Sequence, residues 1–359
     1  MFLGAILVVG PNASISDGCS YLPDTSECLA GIPMAAFDVL GESILQRTIT
    51  RLQRDGVRDI TIVVDDSLSM LATQLPTRTI EVGLVHRPID VWFAADRKFA
   101  EYIENGADMV VLMRPGAYVE FDLNHLLQFH RDHGRFVTQA HDSIGPLDFW
   151  VISAGSHVQS NSGWSGARIA ETSCVVPYQV SGYVNRLANP SDLRRLAVDS
   201  FLGHSAIRPN GIQVKPGVWV DEGAQVHRRA RLVAPAYIGR GVKVQSDALI
   251  TRCSSLERGC EVGYGTVVED ASILADTYLG TGLDVAHSIV CGRNLMHLRH
   301  DVLVEIDDPQ LLGATAVARL QSARMSERRV PDMDPDMLEP PGHVRQPAFV
   351  PSKLNAWAG

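Results

Sequence analysis

Arg114 and Arg186 are the side chains of this sequence best suited to hold an anion. A planar guanidinium donates in pairs to phosphate oxygens, so both are candidate ligand-binding residues for a phosphate or a nucleotide. The competing reading is a surface ion pair with a nearby Asp or Glu. Pro11 and Asn12 are two further candidates, because they open the loop that follows the apolar run at the N-terminus. Gly10-Pro11-Asn12 is not, however, the glycine fingerprint of a phosphate-binding loop. Asp65-Asp66 closes a second apolar run and could hold a cation, although adjacent carboxylates at a strand end commonly cap the next turn. No set of residues reads as catalytic, no metal-ligand set is evident, and no cofactor is expected from these residues.

His227, His287, His297 and His300 are the candidate general bases of the last third of the chain. His227 follows an inward-reading Val226, and no partner carboxylate is identifiable by spacing, so solvated rings are the plain expectation. Arg228, Arg229, Arg231, Arg240 and Lys243 form a basic run that is either a solvated face or a dock for an acidic patch on a sister subunit. The six cysteines are scattered without a C-x-x-C pair, which argues against a zinc site or a disulfide framework and favours a reducing, cytoplasmic setting. Cys253, Cys260 and Cys291 read as small core residues.

Before about residue 200, strand and helix signals alternate. Residues 3–9, 60–64, 109–113 and 136–139 read as strands, and 42–54, 91–104 and the segment after Asp122 as amphipathic helices. Gly56, Gly106 and Gly134 stand where those helices should stop. This alternation predicts a mostly parallel α/β sheet, whose ligands sit beyond the carboxyl ends of the strands. The candidate site therefore falls near residues 9–20, 65–67 and 114–117. Residues 1–9 lack a basic lead and a cleavage site, so they read as a buried strand and not as a signal peptide.

A second architecture follows. Val214, Val220, Val226, Leu232, Ile238, Val244, Ile250, Leu256, Val262, Val268 and Leu274 recur every six residues, and the beat then slips by one through Ile273, Leu279, Val285 and Cys291. A six-residue period fits a prism-shaped coil with one aliphatic residue pointing inward from each side. Over residues 212–304 this pattern resembles the hexapeptide-repeat, left-handed parallel β-helix family. The expected division is 1–205 for the α/β domain, 206–305 for the β-helix, and 306–359 for a short helix over 310–329 and a Pro-rich, disordered tail. Phe349, Leu354 and Trp357 are possible docking anchors within that tail.

A nucleotidyltransferase-like (Rossmann-like) α/β domain followed by such a β-helix is similar to the sugar-1-phosphate nucleotidyltransferases, or nucleotide-sugar pyrophosphorylases. The resemblance is carried by Asp55-Gly56-Val57-Arg58-Asp59-Ile60 after a helix, by Phe121-Asp122-Leu123 with Leu126, Leu127, His130 and Gly134, and by Gly182-Tyr183 with Pro190-Ser191-Asp192-Leu193. It implies magnesium held on carboxylates, with cationic groups and backbone N–H groups on the phosphates. The motifs for those tasks are missing. The first loop lacks a Gly-Thr-Arg core, Ile32 precedes Pro33 where a lysine is expected, and bulky Val91 and Trp92 stand at the base-contact turn. Arg114-Pro115-Gly116-Ala117 lacks the Gly-Asp carboxylate, and Arg186 falls on the second metal aspartate. A guanidinium repels a divalent cation instead of binding it.

The expected function is therefore a divergent homologue in nucleotide-sugar or polysaccharide metabolism. It would be catalytically silent, acting as a regulatory or scaffold subunit or as a nucleotide-sugar sensor that binds a nucleotide-sugar or phosphate. The alternatives are an active, magnesium-dependent sugar-1-phosphate nucleotidyltransferase and a hexapeptide-repeat acyltransferase using a β-helix histidine. A homo- or hetero-oligomer through the β-helix is expected. The formal charge of −9 argues against nucleic acid, and no apolar run reaches about 18 residues, so no membrane span is expected.

Overall fold

Leu3–Val9 (β1) is buried along its whole length because it runs through the middle of a seven-stranded sheet. The computed structural model describes residues 2–9, 28–29, 32–65, 80–85, 90–154 and 175–320. The remaining strands of the sheet are Asp59–Asp65 (β2), Ile80–Val85 (β3), Met109–Met113 (β4), Val137–His141 (β5), Pro146–Ser153 (β6) and Val175–Gln179 (β7). Their order is β7-β5-β6-β4-β1-β2-β3. Only β6 runs against its neighbours, so the carboxyl ends of β4 and β5 and the start of β6 share one edge. That is the mostly parallel α/β sheet read from the sequence.

The strand period of two sorts β1 between two cores. Leu3, Ala5, Leu7 and Val9 pack with helices α1 (Ile44–Arg54) and α3 (Leu123–His133) on one face. Ile6 and Val8 pack with α2 (Asp90–Glu104) on the other. The helices start and stop where capping chemistry directs. The Ser43 side chain accepts from Gln46 N at 3.1 Å and that of Asp122 from His125 N at 3.1 Å, and Gly134 ends α3 at φ 57°. A fourth helix, α4 (Pro190–Leu202), is capped by Asn189 and leads towards the β-helix.

From residue 218 the chain winds into coils whose successive strands pair in parallel, forming three sheets of eight, five and four strands, the first two finished by antiparallel strands at their edges. Val226 stacks on Val244 and Val244 on Val262, each one coil of 18 residues later; Val262 then stacks on Leu279 after 17, which is the slip in the sequence beat. Two positions of that beat differ from expectation. Val214 is in an antiparallel edge strand, Ile212–Lys215, and is 58% exposed, so it precedes the first true coil. Val290, not Cys291, stacks on Ile273, because that coil also has 17 residues. The helix expected over 310–329 is also corrected. Leu312–Ala314 is a strand that pairs antiparallel with Thr277–Leu279, and Leu312 covers the open end of the aliphatic column; residues 316–320 are helical, and 321–329 lie outside the described residues. Tail residues Phe349, Leu354 and Trp357 lie outside the described residues. Among the described residues, no helix is long and apolar enough to cross a membrane.

Residues 1–315 form one compact unit, and two buried charges tie its halves together. Arg194, on α4 and 5% exposed, reaches into the β-helix and donates to Cys253 O at 2.8 Å, Ser272 Oγ at 3.2 Å and Asp270 Oδ1 at 2.8 Å. In the reverse direction, Glu257 of the β-helix, 1% exposed, accepts from Leu40 N at 3.0 Å and Gly41 N at 2.9 Å. Between these ties lies a mixed core of Phe37, Leu40, Leu196, Tyr237 and Ile289.

Both ties are testable. Arg194→Met withdraws the donor from four acceptors, of which Asp270 retains His287, and urea denaturation should show a loss of about 2–4 kcal/mol. Burial, followed by the nearby Asp38 carboxylate, raises the Glu257 pKa from 4.5 to about 7. A carboxyl raised in the folded state stabilises most fully below its unfolded value, and that share is lost as pH rises from about 4.5 to about 7. The thermal midpoint of the native chain minus that of Glu257→Gln should therefore fall across this window; a flat difference would refute the assignment.

Candidate functional site

The edge shared by the ends of β4 and β5 and the start of β6 encloses a cleft of about 270 Å³. Its floor is apolar, formed by Met113, Val119, Leu147 and Phe149, and its polar walls are Arg114, Asp148 and Arg186. The structure thus brings together two of the residues picked from sequence, Arg114 and Arg186. Pro11 and Asn12 lie outside the described residues, as do Asp66, Pro88 and Ile89. Val91 and Trp92 sit in α2 and pack against the sheet.

Arg114 continues β4 by one residue. Its backbone N–H donates to Asp148 O at 2.9 Å, and its Nε and Nη2 reach Asp148 Oδ2 at 2.6 and 2.5 Å. Main chain and side chain therefore fix the same partner, one strand over. Arg186 is placed from farther away. The two-residue strand Val184–Asn185 pairs antiparallel with Tyr118–Val119, and the fully buried Asn185 donates to Asp192 O at 2.9 Å at the start of α4. Gly182 allows this approach, since a Cβ there would meet Glu120 O at 2.0 Å.

The Arg186 guanidinium is held on three bonds. Nε donates to Asp142 Oδ2 at 2.9 Å, and Nη2 donates to Asp142 Oδ1 at 2.6 Å and to Gly145 O at 3.0 Å. Asp142 Oδ1 also accepts from Ile144 N at 2.8 Å and Gly145 N at 2.9 Å, which shapes the turn between β5 and β6. The bonds from Arg186, reinforced by these backbone N–H groups, hold the Asp142 carboxyl well below the usual carboxylate range. The Asp142 bonds in turn push the Arg186 pKa upward. The pair is therefore fully ionised at any working pH.

This donor set does not fit a divalent cation. Gly116 and Ala117 offer no side-chain oxygen. The two carboxylates near the cleft, Asp142 and Asp148, each already hold a guanidinium, which a metal ion would have to displace. Among the described residues, no group of three His, Cys, Asp or Glu could hold a metal ion.

Away from the cleft, His287 does have a carboxylate partner. Its Nδ1 lies 2.5 Å from Asp270 Oδ2, and Asp270 also receives Arg194. The partner sits 17 residues earlier, one shortened coil away, so counting by coils would have found it. Asp270 is net lowered, since these bonds outweigh burial, which acts in the opposite direction. His227 instead caps its own turn, accepting from Arg229 N at 3.2 Å, and the rings of His297 and His300 stack at 4.7 Å. The basic run is largely neutralised between coils: Arg240 pairs with Glu222, Arg229 with Asp247 and Lys243 with Glu261, each 18 residues apart.

No family model matches the chain. Over 88 residues, 24% of its length, the chain is 30% identical to the Bifunctional protein GlmU of Pelobacter propionicus, and it spans 19% of that relative. Among solved structures, HddC from Yersinia pseudotuberculosis complexed with GMP-PN aligns at 12% identity with a TM-score of 0.40, covering 54% of this chain and 97% of that one. That second likeness is too slight to bear on function. In its order of motifs and in its α/β-then-β-helix fold, the chain is similar to the sugar-1-phosphate nucleotidyltransferases, and it departs from them at their signature motifs.

Proposed function

We propose that this chain is a sugar-nucleotidyltransferase-like protein that no longer transfers nucleotidyl groups. It serves nucleotide-sugar or polysaccharide metabolism as a regulatory or scaffolding subunit whose cleft senses a ligand. The observation that carries this reading is the seating of Arg186. The resemblance assigns its position to a metal-binding aspartate, and here a guanidinium occupies it, clamped by Asp142 and the Gly145 carbonyl. A guanidinium supplies fixed positive charge but no open coordination position, so it cannot act as the Lewis acid of a metal-dependent transfer.

The acyltransferase reading draws on one observation, the His287–Asp270 pair. Asp270 is shared with the buried Arg194, which makes the pair part of the tie between α4 and the β-helix. No acetyl-coenzyme A consumption is expected from it. A scaffolding subunit assembles with further chains, so its mass in solution should exceed that of a single chain.

The deciding assay is pyrophosphate release by the full chain with magnesium, nucleoside triphosphates and a panel of sugar 1-phosphates. The expected rate equals that of the protein-free blank for every combination. Steady turnover that scales with protein concentration would overturn the proposal.

A further inference from the structure

The hydrogen-bonding capacity left over in the cleft is specific. Asp148 uses only Oδ2, on Arg114, and its side chain is 38% exposed. Arg186 uses Nε and Nη2, and its side chain is 31% exposed. No further bond is made by Asp148 Oδ1 or Arg186 Nη1 among the described residues. The cleft thus presents one spare anionic acceptor and one spare cationic donor above a floor of Met113, Leu147 and Phe149. Three charged side chains line it, Arg114, Arg186 and Asp148, and Asp142 neutralises Arg186 from outside the lining, so the four groups sum to zero formal charge.

We infer that the cleft is a binding site for an uncharged, monosaccharide-sized polyol, whose hydroxyls donate to Asp148 and accept from Arg186. The inference rests on the ligand-sensing reading above and narrows it to a chemical class. A hydroxyl both donates and accepts, so neighbouring hydroxyls satisfy both spare groups at once. The C–H face of a sugar ring covers the apolar floor. A phosphate monoester offers mainly acceptors, finds no uncompensated cation, and places its charge beside the exposed Asp148 carboxylate. Size points the same way. Sites for drug-sized ligands run from about 300 to 1,000 Å³, so about 270 Å³ suits one sugar ring and is small for a nucleotide-sugar.

The experiment is calorimetric titration of the full chain with neutral monosaccharides, with their 1-phosphates and with inorganic phosphate. At least one neutral sugar should bind, its 1-phosphate should bind at least tenfold more weakly, and inorganic phosphate should not compete. Asp148→Asn removes the opposing charge, so the penalty on the 1-phosphate should shrink severalfold, with circular dichroism reporting the fold. If the variant does not fold, the ratio measured on the native chain still decides. Tighter binding of the 1-phosphate, or no binding by any neutral sugar at tens of millimolar, overturns the inference. Tight 1-phosphate binding without pyrophosphate release would sink it while leaving the silent-homologue reading intact; pyrophosphate release would sink that reading instead.

Discussion

Arg194 is the interaction on which the arrangement of the two halves depends. A cation with 5% exposure is costly to desolvate, and it is tolerable only because the β-helix meets it with two backbone carbonyls, a serine hydroxyl and a carboxylate. Those acceptors come from Arg252, Cys253, Asp270 and Ser272, on successive coils, so they converge only when the β-helix is wound in register. Glu257 repeats the logic in reverse, since its carboxylate needs the N–H groups of Leu40 and Gly41. Apolar packing in the shared core favours contact between the halves without specifying one orientation. The two buried charges select the orientation, because each pairs in only one.

That fixed orientation reaches the cleft through α4. Asn185 bonds to the first turn of α4, and Arg194 pins the same helix to the β-helix from its middle. Arg186 follows Asn185 directly, so the position of its guanidinium is referred to a helix that cannot shift without breaking the Arg194 bonds. The α/β sheet supplies the other half of the clamp, through the Asp142 turn and through β6 carrying Asp148. The cleft is thus assembled from segments on opposite sides of a chain of constraints that begins at the β-helix.

The sequence revealed those parts of this arrangement that rest on periodicity. An aliphatic residue every six positions leaves a mark that survives without structural knowledge, and the strand and helix alternation of the first half does the same. The errors fell at the ends of the repeat. Val214 keeps the beat but lies outside the first coil, and Leu312 breaks the beat yet closes the column. Arg114 and Arg186 could be picked by motif position, but their partners could not. Asp148 lies 34 residues from Arg114, Asp142 lies 44 from Arg186, and Glu257 lies 217 from Leu40. Pairs of that kind are set by tertiary geometry, and no local pattern encodes them. The inter-coil ladder is the instructive middle case: Arg229–Asp247 and Lys243–Glu261 are 18 apart, so the coil length alone would have found carboxylate partners for part of the apparent basic face.

The same chemistry, arginine with carboxylate, serves three ends, and burial decides which. On the ladder the groups are solvated, and each pair contributes about 0–1 kcal/mol. At the joint the arginine is buried, so the pair acts chiefly to fix geometry. In the cleft the exposure is intermediate, 31% for the Arg186 side chain and 9% for Asp142. There the pair is rigid enough to hold position and open enough to meet a ligand. A divalent ion in that place could be removed by chelation and would carry exchangeable water ligands. A guanidinium tethered to the backbone is permanent, brings no reactive water, and keeps its charge at any working pH. A guanidinium seated there supplies a fixed cation at the mouth of the sheet without the Lewis acidity that phosphoryl chemistry draws on, and this is the physical basis of the proposal that the cleft registers a ligand and does not transform it.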